Sequence, residues 1–308
     1  MSRTAVLIRT HHVDDALRAF AGRLRAGSAF DVFVVADETR GALDFGDIPK
    51  ISLTSSTLAS LGLCVGAPDL LWRCGDYGFY AARRAAPGYD AFWMIEPDVR
   101  LNAEQPCDIL ARFPGPEEVD FLAGRLRLAG ADWDWAALME PGAGPVWRCL
   151  FSLVRLSAPA IDLLHDARQG LTARHLSQGA DPAAWPNDEV FVASTLARSG
   201  LVCRDLNDFG PVYDDAGFSF WFPVSERELQ ASGLDGWIYH PVLSGQAYFI
   251  KLCRLAVRHG ALDGLAQIVE QMIGLEWTEE EARGHRRAID FLKVQHAIAT
   301  APPPLAAE

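Results

Sequence analysis

The hydrophobic pattern of the first forty residues alternates between short apolar runs and one amphipathic stretch. Residues 5–8 form a continuous apolar run, which predicts a fully buried strand. Residues 13–26 carry apolar side chains at spacings of four, three and four, which predicts a helix with one buried face. Residues 31–36 form a second apolar run and predict another buried strand. The order strand, helix, strand is typical of a βαβ unit and favours a parallel sheet.

Similar patterns continue along the chain. Further strands are predicted at 48–53, 89–95, 121–128, 147–156 and 201–206, and helices at 76–86, 158–167 and 186–198. From about residue 246 the hydrophobic pattern predicts mainly helices, at 249–259, 261–273 and 278–299. The pattern predicts an α/β domain over residues 1–245, with a mostly parallel central sheet flanked by helices. A C-terminal helical appendage over 246–300 and a flexible tail over 301–308 complete the prediction.

Composition narrows the class of protein. Half of the 308 residues are hydrophobic, which suits a globular protein with a sizeable core. The 28 basic and 40 acidic residues give a net charge of −12. The sequence lacks a cluster of basic residues of the kind that indicates nucleic-acid binding. The six cysteines form no CxxC pair, which favours reduced, buried thiols in a cytoplasmic protein. We expect no signal peptide and no transmembrane segment, because the longest apolar stretch is broken by Gly, Pro and Asp.

The tripeptide Glu96-Pro97-Asp98 is the first candidate for chemistry. It follows a strand rich in aromatic residues, and ligands of open parallel sheets bind beyond the carboxyl ends of the strands. Pro97 fixes its own φ and biases Glu96 toward an extended conformation, so the turn can aim two carboxylates at one side. Mn²⁺ or Mg²⁺ held there would complete its shell with diphosphate oxygens. The alternative is an ordinary solvated turn.

The segment Phe92-Trp93-Met94-Ile95-Glu96-Pro97-Asp98-Val99-Arg100 resembles the Glu-Pro-Asp segment of the fungal Golgi α-1,2-mannosyltransferases. In those enzymes Glu-Pro-Asp replaces the Asp-x-Asp motif of GT-A glycosyltransferases. The element order over residues 4–245 is also similar to that of GT-A enzymes. The resemblance implies a GT-A-like fold and a metal held by Glu96 and Asp98.

The same resemblance implies contacts with a nucleotide-sugar donor. Asp37, at the end of the second strand, resembles the acidic residue that contacts the ribose or base, and Thr10 and His11 end the first strand, where the base lies. Polar strand ends facing water are the alternative for these three residues. Asp76 most simply caps the helix that follows it, with a donor contact as the second interpretation.

Asp188 and Glu189 are the candidate catalytic carboxylates. The segment Trp185–Phe191 resembles the acidic segment that supplies the catalytic carboxylate at a helix start in GT-A enzymes. An inverting transfer needs a base for the acceptor hydroxyl, and either residue could serve. The structural alternative is a helix N-terminus after Pro186, which acidic side chains also suit. We place Asp188 slightly ahead of Glu189.

Four positions remain for the metal and the acceptor. His240 falls where GT-A enzymes supply a late histidine to the metal, although a hydrogen-bonded core histidine is the alternative. Trp221 belongs to an aromatic cluster that could stack on an acceptor sugar or form a satellite core. Trp147 and Arg148 are assigned to the acceptor by their position alone.

These features together predict a cytoplasmic, metal-dependent glycosyltransferase of the hexosyltransferase type. It would take a UDP- or GDP-linked sugar and transfer it to a hydroxyl of a glycan or lipid-linked saccharide. No nucleic-acid partner is expected, and the lipid-linked acceptor leaves room for peripheral contact with a membrane. The alternatives are an inactive nucleotide- or carbohydrate-binding protein on the same scaffold and a nucleotidyltransferase. The second of these usually carries a Gly-rich basic loop after the first strand, and Arg9-Thr10-His11-His12 matches that loop poorly.

Overall fold

The computed structural model describes residues 2–26, 28–64, 70–130, 133–139, 144–179, 181 and 184–300. The predicted tail over 301–308 lies outside these residues. The strands are β1 (Thr4–Thr10), β2 (Asp31–Asp37), β3 (Lys50–Leu53), β4 (Ala91–Ile95), β5 (Arg100–Leu101), β6 (Phe121–Leu128), β7 (Trp147–Ser157), β8 (Cys203–Asp205), β9 (Val224–Ser225), β10 (Ile238–Tyr239) and β11 (Val242–Leu243). The helices are α1 (Asp15–Arg25), α2 (Ser55–Ser60), α3 (Leu70–Arg73), α4 (Asp76–Ala85), α5 (Pro106–Leu110), α6 (Ala158–Gln178), α7 (Asp188–Ala197), α8 (Glu226–Ser232), α9 (Gly245–His259), α10 (Leu262–Met272) and α11 (Glu279–Thr300).

Seven strands among the described residues form a central sheet in the order β3-β2-β1-β4-β7-β6-β8. The pairs β3–β2, β2–β1, β1–β4 and β6–β8 are parallel, whereas β7 runs antiparallel to both of its neighbours. The predicted α/β class with a mostly parallel sheet is therefore confirmed. The predicted strand at 121–128 matches β6, and the helix predicted at 158–167 extends to Gln178.

Local sequence explains why these elements form where they do. All five residues of β4 are buried, as expected for a strand covered on both faces. Helix α1 begins where the Asp14 side chain accepts the Leu17 N–H at 2.7 Å and buries the predicted apolar stripe. Helix α7 begins at Asn187, whose side chain accepts the Val190 N–H at 3.1 Å.

The chain divides into two compact units. The first holds the residues up to Tyr213 together with Gly236–Ile238, and contains the central sheet. The second holds Asp214–Asp235 and the residues from Tyr239 onward, so residues 214–235, predicted with the α/β domain, group with the C-terminal helices. Its core lies among α9, α10 and α11. Among the described residues, no helix combines the length and the apolar character needed to cross a membrane.

Candidate functional site

The carboxyl ends of β1, β2 and β4 meet at one edge of the central sheet. The register pairs Ile8 of β1 with Ile95 of β4, and Thr10 of β1 with Ala36 of β2. The residues that follow these strands therefore lie side by side, because parallel strands end at the same edge. This edge carries Glu96 directly after β4.

Arg9 joins the two acidic segments predicted from the sequence. It lies near the end of β1, and its side chain is only 15% exposed. One terminal nitrogen of Arg9 donates to Oε1 of Glu96, and the other donates to Oδ2 of Asp188 at 3.1 Å. Although burial by itself lowers the pKa of Arg9, the two carboxylates raise the pKa above its ordinary value. A single guanidinium thus links the turn after β4 to the start of α7.

Asp188 is buried, and both of its carboxylate oxygens accept hydrogen bonds. Its Oδ2 accepts the Gly75 N–H at 2.8 Å as well as the Arg9 guanidinium, and its Oδ1 accepts the Glu189 N–H at 2.8 Å. Burial raises the pKa of Asp188 to about 7, while Arg9 opposes that rise. The pKa of the half-buried Glu189 is raised to about 8, mainly by burial and to a smaller extent by the negative charge of Asp188. Both carboxyl groups therefore titrate near neutral pH.

Gly75 permits this arrangement. A Cβ at residue 75 would overlap the Arg9 guanidinium and lie 2.8 Å from Oδ2 of Asp188. The backbone N–H of this residue is also a donor to Asp188, so close approach of the backbone is part of the contact. Any larger residue here would displace the carboxylate or the arginine.

Asp76 has a different environment from the one the sequence suggested. Gly75, and not Asp76, is the N-cap residue of α4. Its carboxylate is instead fully buried, and it accepts hydrogen bonds from Arg168 and from the Tyr80 hydroxyl. Both oxygens are occupied inside the protein, which argues against a contact of Asp76 with a donor and corrects the capping assignment.

Glu96 and Asp98 lie on a tight turn. The Val99 N–H donates to the Glu96 carbonyl at 3.0 Å, and the Glu96 N–H donates to the Ser152 carbonyl on β7 at 2.9 Å. Both carboxylates are half-buried. Both residues belong to the first unit, whereas His240 belongs to the second. One turn of the first unit thus supplies two of the three residues predicted as metal ligands.

The tautomer of His240 suits a ligand role. The ring is buried, and Nδ1 lies 2.8 Å from the Ser219 carbonyl oxygen. A carbonyl only accepts hydrogen bonds, so in the neutral ring Nδ1 carries the proton and Nε2 carries the lone pair. Backbone hydrogen bonds from His240 N–H to the Gly217 carbonyl and from Ser219 N–H to the His240 carbonyl, both at 2.8 Å, hold the residue. Metal-bound histidines commonly use such a carbonyl partner.

The predicted donor-binding residues occupy the same sheet edge. Thr10 is buried, and its hydroxyl donates to the His12 carbonyl at 2.9 Å, whereas His11 is exposed. Asp37 ends β2, and its Oδ1 accepts the backbone N–H of Thr39 at 3.0 Å and the hydroxyl of that residue at 2.6 Å. His11 and Asp37 are therefore open to solvent beside β1 and β2, while the Thr10 hydroxyl is turned to its own backbone.

The predicted acceptor residues separate into two groups. The Trp147 N–H donates to the Ser194 hydroxyl on α7 at 2.9 Å. The positive charge of Arg148 partly offsets the rise that burial causes in the pKa of Glu189. Trp147 and Arg148 therefore lie beside the helix that carries the candidate carboxylates. Trp221 belongs to the unit formed by the C-terminal helices, and its ring packs edge-on against Phe220 with centroids 4.8 Å apart.

Sequence patterns missed Arg9, Gly75 and Arg168. The signal for Arg9 was present, because a charged residue directly follows the apolar run that forms β1. Gly75 stands immediately before a helix, where glycine is also an ordinary N-cap, so it carried no distinct signal. Arg168 lies on a long helix among other polar residues and becomes conspicuous only once its burial is known.

Comparison with known proteins adds no relative. No protein-family model matches the chain, and no curated protein matches it. The chemistry of the site therefore rests on the side chains and their geometry.

Proposed function

We propose that the protein is a metal-dependent glycosyltransferase that moves a sugar from a nucleotide-sugar donor to a hydroxyl acceptor. The proposal rests mainly on one observation: Arg9 binds Glu96 and Asp188, which lie 92 residues apart in sequence, at the carboxyl edge of the sheet. That edge is where open α/β sheets bind ligands. The resemblance of residues 92–100 to the Glu-Pro-Asp segment of GT-A mannosyltransferases supplies the reaction class.

Glu96, Asp98 and His240 would hold the metal. Two carboxylates and a neutral imidazole fit Mn²⁺ well and Mg²⁺ less well, because Mg²⁺ prefers oxygen ligands alone. When bound, such an ion would offset the negative charge of the diphosphate leaving group. In a chain of net charge −12, that compensation supports binding of an anionic donor.

Asp188 and Glu189 would have different tasks. Each Asp188 oxygen already accepts a hydrogen bond, from Arg9 and Gly75 on one side and from its own helix on the other. We assign Asp188 the task of positioning Arg9. Glu189 is more exposed than Asp188, and burial raises its pKa to about 8. A carboxylate with such a pKa is an effective proton acceptor near neutral pH, so Glu189 is the candidate base for the acceptor hydroxyl.

Donor binding is the first test. Titration calorimetry of UDP and GDP, each with and without Mn²⁺, should show binding that requires the metal. Asp98→Asn should abolish the metal requirement and most of the binding, whereas Glu104→Gln, an exposed carboxylate after β5, should leave both unchanged. Absence of metal-dependent binding by any nucleotide tested would refute the proposal.

Turnover is the second test. Hydrolysis of a panel of nucleotide sugars with Mn²⁺ should release the nucleoside diphosphate from at least one donor. Glu189→Gln should lower kcat by about 10²–10⁴-fold with little change in donor affinity, as expected for a general base. Asp188→Asn should affect donor affinity as well, because it releases Arg9. Metal-dependent binding without any turnover would instead identify a nucleotide-binding protein on this scaffold.

A further inference from the structure

The unit formed by the C-terminal helices has an apolar groove of about 680 Å³. Its walls come from α9 and α11 and from Trp221. Ile250, Val257 and Phe291 contribute apolar side chains that are 42%, 39% and 62% exposed. Large apolar side chains gathered on one surface are uncommon outside interaction sites, whereas isolated ones need no explanation.

The charge at this groove is opposite to that of the protein. Helix α9 carries Lys251, Arg254 and Arg258 and no acidic residue, in a chain whose net charge is −12. Arg254 and Arg258 line the groove, and no acidic side chain is among the described residues that line it. The partner that fits this surface is therefore both apolar and anionic.

The cations and aromatic rings are interleaved. The Arg258 guanidinium lies 3.9 Å from the centroid of the Trp221 ring, and the Lys251 ammonium lies 4.5 Å from that of Phe220. The inward face of α9 is buried through residues such as Phe249 and Leu252, so its outward face is the one that carries the basic and apolar side chains together. Together with Phe220 and Trp221, this helix face forms a surface with aromatic rings beside Lys and Arg, the combination that lies in a membrane interface.

We propose that this surface docks the protein on an anionic phospholipid membrane. The apolar side chains would enter the headgroup region, and Lys251, Arg254 and Arg258 would attract lipid phosphates. A second copy of the chain is a poor occupant, because a symmetric dimer through the same patch would bring like cations together. The proposal does not depend on the glycosyltransferase activity.

Vesicle co-sedimentation of the full chain tests the proposal. We expect binding to vesicles that contain phosphatidylglycerol, little binding to vesicles of phosphatidylcholine alone, and release as the salt concentration rises. Arg254→Gln combined with Arg258→Gln should weaken binding about 25-fold, the product of roughly fivefold for each cation near an anionic surface. Phe291→Ser, at a 62% exposed position, should weaken it by about tenfold through lost apolar burial.

Matched controls separate this surface from general charge effects. Arg40→Gln combined with Arg227→Gln removes two exposed cations elsewhere and should leave binding within about twofold of the wild type. Circular dichroism of each variant confirms folding. Equal binding to both kinds of vesicle, no binding to either, or equal losses in the test and control variants would each overturn the proposal. A dimer seen by light scattering that disappears in Phe291→Ser would overturn it as well.

Discussion

Replacing Arg168 tests how the first unit holds its candidate site in place. Arg168 and Asp76 are both 0% exposed, and the guanidinium makes two hydrogen bonds to the carboxylate, at 2.7 and 3.1 Å. A third, at 3.0 Å, reaches the Pro186 carbonyl, two residues before Asp188. The Arg168→Met variant keeps much of the volume but leaves the Asp76 carboxylate buried without a counter-charge.

The expected loss follows from that burial. Removing one partner of a buried ion pair costs about 3–5 kcal/mol, because the remaining charge stays desolvated. For a unit of this size, each kcal/mol lowers Tm by about 2–4 °C, so the variant should melt roughly 10 °C below the wild type. The Arg168 guanidinium also lies 3.7 Å from the centroid of the Phe191 ring, and the loss of this contact acts in the same direction.

Thermal and urea unfolding of a double-mutant cycle measure the effect. Asp76→Asn combined with Arg168→Met should be less destabilised than the sum of the two single variants, with a coupling of about 1–3 kcal/mol. The matched control is Arg83→Met, which breaks an exposed pair with Asp162 between the same two helices, α4 and α6. Side chains of that pair are 28% and 56% exposed, so the cost should stay below about 1 kcal/mol. Equal losses for Arg168→Met and Arg83→Met, or a coupling near zero, would refute the reasoning.

Three further predictions concern the site and the thiols. Arg9→Gln should tighten Mn²⁺ binding by up to about fivefold, because Glu96 is no longer shared with a guanidinium; unchanged affinity in calorimetry would contradict this. Burial raises the pKa of Asp188 from 3.8 to about 7. Between pH 3.8 and about 7, the native state therefore keeps a proton on Asp188 that the unfolded state has lost. The stability of the native state should consequently fall as the pH rises through that window. Asp188→Asn should reduce that fall in urea titrations, and an unchanged slope would exclude Asp188 as its source. Burial raises the pKa of both Cys203 and Cys253 to about 11, so a thiol reagent at about pH 8 should label the native protein slowly and all six cysteines after unfolding. Rapid labelling of either residue in the native protein would count against the shifts.

Local sequence was sufficient for most of the elements of the first unit. The periodicity of residues 13–26 predicts α1, and the apolar runs predict β1, β2, β4, β6 and β7 close to their observed bounds. Helix and strand periods are properties of neighbouring residues, so they can be read without knowing the fold. The same reasoning places Glu96 and Asp98 directly after a buried strand, which is where the structure has them. Element order then indicated the α/β class.

Only the tertiary structure determines which charged residues that are distant in sequence pair with each other. Arg9 and Asp188 are 179 residues apart, and Asp76 and Arg168 are 92 apart. No local pattern distinguishes a buried arginine from a solvated one, because the stability of a buried charge depends on the counter-charge that folding brings to it. For the same reason, the sequence suggested a capping role for Asp76, and the structure replaced it with an ion pair.

Helix α9 also shows which features local sequence predicts and which depend on the fold. The sequence predicts a helix over 249–259, and the structure shows that one face of α9 packs in the core of the second unit. Whether Ile250 and Val257 on the other side are covered depends on which elements fold against them, and this is a property of the assembled unit. The sequence by itself determined most of the elements of the first unit, the order of those elements and the carboxylate turn after β4. The tertiary structure decided which charges are paired and which apolar side chains are left at the surface, because both depend on contacts between residues far apart in the chain.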